Sequence, residues 1–338
     1  MLNINTKIET SLKQNILDKI KEDQSSTIKD LVYTFDSTKQ TVIKHLNSLI
    51  LEGFVTKNGK APRTFYSLSK LKNTIEEIDN FFEHVKIPEE ILSVIEENYD
   101  NINAFGEKTN GIKGFKVFCG ERNMNLEKSA KDFFEVYKKY NHFKKDGYIN
   151  ASFKIEESFN DNFLDKMFYI DFYAFEKYGK TKLGQLVSSA KQSGDKSMTK
   201  EVIKISRTGI ENVIKKYTID AVAYVPPTIK REVQIMKELE SGLALNLPKI
   251  NIFKIINDVM VPQKTLSKIK DRILNAANTM FVEGNIHYKN ILIIDDAVGS
   301  GATLHEIAKK IKNKKIVDKV FGLSIVGSFK GFDALNEI

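Results

Sequence analysis

The stretch Asn290–Ala308, NILIIDDAVGSGATLHEIA, decides how the chain is read. Ile291, Leu292, Ile293 and Ile294 form a short continuous apolar run, the pattern of a parallel strand buried on both faces. Asp295 and Asp296 follow at its carboxyl end, where open α/β sheets place their ligands. Ala297–Thr303 then offers two glycines, two hydroxyls and no bulky side chain before Leu304 begins an apolar-periodic helix. Such a loop presents consecutive backbone N–H groups, and the helix dipole adds positive potential, so the stretch is expected to hold a phosphate. The plainer reading is a solvated acidic turn followed by a flexible connection. The order of the segments around it favours the first.

Ahead of the stretch, Phe168–Phe175 (FYIDFYAF) alternates well enough for a strand with aromatics on both faces. Tyr178-Gly179-Lys180 reads as a turn and Leu183–Lys191 as a short helix that leaves through Gln192–Asp195. A further helix runs through Ile203 and Ile210 to about Lys216. Asp220–Val225 is a small-to-apolar strand ending in Pro226-Pro227-Thr228, and Lys230 and Arg231 open a helix that runs to Leu245. Asn251–Ile256 and Lys319–Gly327 are further strands. Strands alternating with helices predict a mostly parallel sheet covered on both faces.

The combination of hydrophobic strand, two acids and small-residue loop resembles the phosphoribosyl pyrophosphate (PRPP) signature of type I phosphoribosyltransferases. More narrowly, the ordered landmarks resemble the ComF (competence protein F) branch. They are Tyr178-Gly179, Leu183–Val187, Lys191–Asp195, Val225–Thr228, and Pro262–Leu266 followed by Arg272 and Asn275. The resemblance covers about Phe168–Gly327 and implies a site for PRPP with Mg²⁺. Asp295 and Asp296 would hold the ribose hydroxyls, directly or through Mg²⁺. Gly299, Ser300, Gly301, Ala302 and Thr303 would hold the 5-phosphate, and Pro226, Pro227 and Thr228 would form the pyrophosphate loop. Lys264, Lys268 and Arg272 lie on a segment able to close over pyrophosphate. Two departures stand out. Gly299 occupies the place of the family's usual first threonine, and Cys119, the chain's one cysteine, cannot supply the four-cysteine zinc element with which ComF proteins usually begin.

The amino-terminal 70 residues have a different character. Ser11–Glu22 has helical spacing, Ser25-Ser26-Thr27 is a capping cluster before a short helix, and Ser37 can cap a third helix running to about Glu52. Gly53 is the expected stop. Phe54–Thr56 and Thr64–Leu68 read as strands flanking a basic tip, Lys57–Pro62. This order resembles the winged helix-turn-helix superfamily, which implies DNA binding with the third helix in the major groove. Its outward side would show Ser37, Thr38, Lys39, Gln40, Thr41 and Lys44, with Gln40 the candidate for a base edge and the lysines for phosphates. Lys57, Lys60 and Arg63 would hold the backbone from the wing. Thr27–Lys70 carries seven basic residues against three acids, a net of +4. A winged helix used for protein contact is the competing reading.

The sequence is thus expected to be α/β: residues 1–70 a small winged helix-turn-helix domain, 71–165 a helical linker and unassigned insertion, and 166–338 a mostly parallel-sheet phosphoribosyltransferase-like domain. Lys70–Val85 is expected to be an amphipathic helix, and Glu89–Tyr99 and Leu126–His142 are helical in spacing, around a glycine- and polar-rich Asn101–Asn125. No window approaches the ~18 uninterrupted apolar residues of a membrane span. No secretory signal is visible and a lone cysteine excludes internal disulfides, so a cytoplasmic location is expected. The net charge of +8 favours a polyanionic partner. Three functions fit: a DNA-binding regulator sensing PRPP or a related nucleotide, an active Mg²⁺-dependent phosphoribosyltransferase positioned by its winged helix, and a protein-interaction module with a vestigial PRPP loop. A symmetric homodimer fits the first, because winged-helix regulators read paired half-sites.

Overall fold

The structure is a computed structural model. It describes residues 11–60, 62–69, 78, 82, 84–102, 107–159, 161–227, 233–255 and 268–332, the side chains of Lys60, Ile269 and Arg272 excepted. The chain forms two compact units, Met1–Ala130 and Lys131–Ile338. The expected helix over Lys70–Val85 falls almost entirely outside the described residues.

The first unit opens with three helices, α1 (Leu12–Asp23), α2 (Ile28–Thr34) and α3 (Lys39–Leu51). Strand β1 (Ser25–Ser26) lies between α1 and α2, and β2 (Val55–Lys60) and β3 (Arg63–Leu68) follow α3. Ser25 and Ser26 pair with Ser67 and Tyr66, so Thr27 alone of the hydroxyl cluster caps α2. It does so reciprocally: Asp30 N–H donates to Thr27 Oγ1 at 3.2 Å, and Thr27 N–H donates to Asp30 Oδ2 at 2.9 Å. Helix α3 is capped by Thr38, not by Ser37, because Thr38 has the extended backbone an N-cap requires and accepts from Thr41 N–H at 3.2 Å. At the other end Gly53, at φ +75°, donates to Ile50 O while Phe54 N–H donates to Leu49 O. These two bonds close the helix in a left-handed glycine cap, as the sequence predicts. The hairpin is longer than expected: it pairs from Val55↔Leu68 to Lys60↔Arg63, so the tip shrinks to two residues. Ile16, Ile20, Leu31, Val42, Leu46, Leu49, Val55 and Tyr66 form the core beneath.

After α4 (Glu89–Asn98), the described residues of the glycine- and polar-rich stretch form regular elements. Strands β4 (Asp100–Ile102) and β5 (Lys108–Asn110) pair, and α5 (Gly111–Glu121) buries Phe115, Phe118 and Cys119. Burial pushes the Cys119 thiol up to about 11, which makes it a packing residue with little thiolate at neutral pH.

Helix α6 (Leu126–Asn141) contains the division between the units. Then come β6 (Lys144–Lys145), β7 (Tyr148–Asn150), α7 (Phe153–Ser158), β8 (Lys166–Phe172), β9 (Ala174–Phe175) and β10 (Gly179–Lys180). Next are α8 (Lys182–Ser193), α9 (Lys196–Lys216), β11 (Ala221–Tyr224), α10 (Ile235–Leu243) and β12 (Lys249–Lys254). The unit ends with α11 (Ile269–Thr279), β13 (Met280–Glu283), β14 (Tyr288–Val298), α12 (Ala302–Asn313) and β15 (Val317–Gly327). Eight strands form one sheet in the order β13-β12-β11-β14-β15-β8-β7-β6. The five from β12 to β8 run parallel, with antiparallel neighbours at both edges, so the sheet is mostly parallel as expected.

One face carries α8, α9 and α10, whose Leu186, Val187, Ile210 and Leu239 pack on Leu292, Ile294, Phe321 and Leu323. Gly322 points to the opposite face, where Leu304 of α12 lies against it. The predicted strand Phe168–Phe175 ends at Phe172, and Ala174-Phe175 instead pairs with Gly179-Lys180. The third predicted helix of this unit is shorter than expected, Ile235–Leu243, with Lys230 and Arg231 outside the described residues.

Candidate functional site

Strand β14 runs four residues beyond the apolar run. Its partner β15 continues alongside, pairing Asp295↔Ser324, Ala297↔Val326 and Val298↔Gly327. Asp295 and Asp296 therefore stand inside the last third of the strand, not after it. The turn that follows is short, Gly299 to Gly301. Gly301, at φ +78°, turns the chain into α12, which starts at Ala302 and so takes Ala302 and Thr303 into its first turn. Left-handed backbone there favours glycine, and a Cβ would also press on Ile155.

The two acids alternate along the strand, yet their carboxyl groups lie side by side at its end. Ile294 belongs to the core under α8–α10, and Asp296, two residues on, meets Lys191 of α8 at 2.7 Å. Asp295 accepts from Asp296 N–H at 2.8 Å through Oδ1. No described cation forms an ion pair with it. Burial, then the Asp296 carboxylate beside it, push the Asp295 carboxyl up to about 7, against the pull of Lys191. An unfolded carboxyl of this kind titrates near 3.8. Between those values the folded chain keeps a proton that the unfolded chain has released. Stability therefore falls as pH rises from about 4 to about 7, then levels. Urea midpoints measured across that window should show the fall in the wild type and lose it in Asp295→Asn. Identical slopes in the two proteins would place the proton elsewhere.

Neighbouring strands bring other predicted residues to the same edge. Tyr224 pairs with Ile294, and Val225 N–H donates to Ile294 O at 2.9 Å, so Pro226 and Pro227 leave β11 level with the acids. Thr228 and Lys264 lie outside the described residues, as does the side chain of Arg272 within α11. Lys268 is exposed at the N-cap of α11, and no hydrogen bond or ion pair among the described residues joins it to the acids.

Two lysines at this edge escaped the sequence reading. Lys191 was visible only as part of a motif; its partner Asp296 lies 105 positions away. Lys254 ends β12 with its Nζ buried and without a hydrogen-bond partner among the described residues, and burial lowers its pKa. A cavity of about 720 Å³ opens beside the Gly299–Gly301 turn, walled by Tyr173, Val187, Lys191, Val298, Gly299 and Phe329. It sits at the carboxyl ends of β8, β15 and β14.

In the first unit the third helix shows Lys39, Gln40 and Lys44 to solvent, and the hairpin shows Lys57 and Arg63. Ser37 and Thr41 are half-buried. The Thr38 and Thr41 hydroxyls share one hydrogen bond at 2.8 Å and Thr38 also caps the helix, so only one of their two hydroxyl hydrogens is left for another partner. The side chain of Lys60 lies outside the described residues.

Fold and site together define an α/β protein with an acid pair and a glycine turn at the carboxyl edge of a mostly parallel sheet. No family model and no curated protein matches the chain. Among solved structures it is similar to a hypoxanthine phosphoribosyltransferase from Staphylococcus aureus, with 13% identity over 39% of this chain and a TM-score of 0.24. It is also similar to the UMP synthase of Leishmania donovani, with 16% identity over 67% of this chain and the same TM-score of 0.24. The chain spans 64% of the first structure and 40% of the second. No described helix is long and apolar enough to cross a membrane.

Proposed function

We propose that the second unit binds PRPP or a related nucleotide, and that the first is a winged helix-turn-helix whose affinity for DNA responds to that ligand. The observation that carries the ligand reading is one continuous strand–turn–helix. It presents two carboxylates for ribose hydroxyls, then a glycine turn and a helix N-terminus for a phosphate. Mg²⁺ would arrive with the ligand. Two carboxylates, one already paired with Lys191, leave most of the ion's shell to phosphates and water, and no cluster of three His, Cys, Asp or Glu residues occurs among the described residues. Asp295 and Asp296 would hold it, directly or through water, and it would neutralise pyrophosphate charge. Pro226, Pro227 and Thr228 would flank that pyrophosphate.

The exposed Lys39, Gln40 and Lys44 support a helix that reads DNA, with Gln40 at a base edge and the lysines on phosphates. Lys57, Lys60 and Arg63 would grip the backbone, and a homodimer would read two half-sites. Calorimetric titration of PRPP with Mg²⁺ should saturate; absence of saturation would sink the ligand reading. Mobility shifts on random genomic fragments should appear and change when PRPP–Mg²⁺ is added. Gln40→Ala/Lys44→Ala should weaken them about tenfold or more. No shift under either condition ends the regulator reading and leaves the ligand site standing.

The cavity favours a second reading, an active phosphoribosyltransferase. Beside Gly299 it has room for a nitrogen acceptor, and Tyr173 and Phe329 suit a planar ring. Lys264, Lys268 and Arg272 would then close over the leaving pyrophosphate. Pyrophosphate release from PRPP with a panel of bases tests it, and none with any base rejects it.

A further inference from the structure

We infer that Lys191 is a built-in counter-ion that keeps the acid pair from taking a divalent cation until a phosphorylated ligand draws the lysine away. The inference rests on the ligand reading above and adds a gate to it. The Lys191 ammonium lies 2.7 Å from Asp296 Oδ1, with the two side chains 27% and 17% exposed. A pair so sheltered is screened less than a surface one. It also occupies one of the two carboxylate oxygens that a cation could use.

The geometry is imposed by the fold. Helix α8 is pinned at its start: Thr181 Oγ1 donates to Phe172 O at 2.6 Å and accepts from Gly184 N–H at 3.0 Å. It is closed at its end by Gly194, at φ +62°, whose N–H donates to Ala190 O. Leu183, Leu186, Val187 and Ala190 bury the helix in the core. Lys191 therefore leaves a fixed helix end and reaches to β14. The same side chain lines the cavity, together with Ser188 and Gln192 from the adjacent turn. An anionic ligand in that cavity competes with Asp296 for one ammonium. When it wins, Asp296 is left open beside Asp295, which has no ion-pair partner among the described residues. Two carboxylates without a counter-ion then attract the cation that accompanies the phosphates.

Mn²⁺ alone, followed by water-proton relaxation on the full chain without any phosphorylated ligand, tests this directly. The wild type should bind Mn²⁺ at least about tenfold more weakly than Lys191→Met, because removing a charge at contact distance is worth that much even when well screened. Lys191→Gln should behave as Lys191→Met does, Lys191→Arg as the wild type, and Lys191→Met/Asp296→Asn should lose the gained site. Equal Mn²⁺ binding by wild type and Lys191→Met, or a site retained in the double variant, would overturn the gate. These arms contain no PRPP, so they report on Lys191 whether or not PRPP proves to be the ligand. In the presence of PRPP, wild-type Mn²⁺ binding should rise toward that of Lys191→Met; no rise would reject the displacement by ligand.

Discussion

Asp295→Asn/Asp296→Asn should abolish saturable PRPP binding, by at least about a hundredfold, while the protein stays folded and gains stability at neutral pH. The two effects have opposite signs for one reason. Hydrogen bonds to a charged group contribute about 1.5–3 kcal/mol each, and the ligand would lose such bonds at both carboxylates. Folding, by contrast, has to desolvate Asp295 without a described cation to pair it, which is why its carboxyl is pushed up to about 7. Asparagine keeps the shape and one acceptor oxygen and removes the charge. Calorimetry with PRPP–Mg²⁺ and urea unfolding at pH above 7 measure the two halves. Binding unchanged in the double variant would remove the proposed site. A loss of stability instead would mean that the Lys191–Asp296 pair, broken in the same variant, outweighs the relief at Asp295.

The second large effect concerns the helix that carries Lys191. Gly184→Ala should destabilise the second unit by about 2–3 kcal/mol, the cost of forcing atoms into a filled space. A Cβ at Gly184 would collide with the Tyr173 carbonyl, and that carbonyl is backbone, held by the N–H of Thr181 at 3.2 Å. Neither side can swing away, so α8 must shift off the sheet. Gly179→Ala is the control. Gly179 has φ +81° and nothing near its missing Cβ, so alanine there brings only the left-handed backbone cost, about 1–2 kcal/mol. Urea midpoints of the two variants separate packing from backbone strain. A Gly184→Ala protein no less stable than Gly179→Ala would show that the helix start is loosely held.

Much of the architecture was legible because it follows from local rules. Ile291–Ile294 is apolar at every position, which only a strand covered on both faces tolerates, and that is where the sheet buries it. Gly53 and Gly301 stop and start helices at positive φ, a role glycine fills at no steric cost. Other features depended on partners far along the chain. The end of β14 was misplaced because Asp295–Val298 has no apolar signature; the strand continues only because β15 offers hydrogen bonds up to Gly327. Ser37 and Thr38 are chemically alike as caps, and backbone geometry chose Thr38. Strands β6 and β7, of two and three residues, are too short for any periodicity to reveal, and they join the sheet through β8.

The sequence by itself determined the order of elements, the placement of an acid pair and a glycine turn between a buried strand and a helix, and a basic amino-terminal segment of three helices and a hairpin. Those are near-neighbour properties, set by side-chain size, alternation and capping chemistry within a few residues. Only the tertiary structure decided that, among the described residues, Asp296 has an ion-pair partner and Asp295 has none, that Lys191 supplies the counter-charge, that the Lys254 Nζ is buried at the same edge, and that a cavity lies against Gly299. Each depends on which strands lie side by side and which face a helix covers. Charges separated by a hundred residues interact according to where the sheet places them, not according to their spacing in the chain.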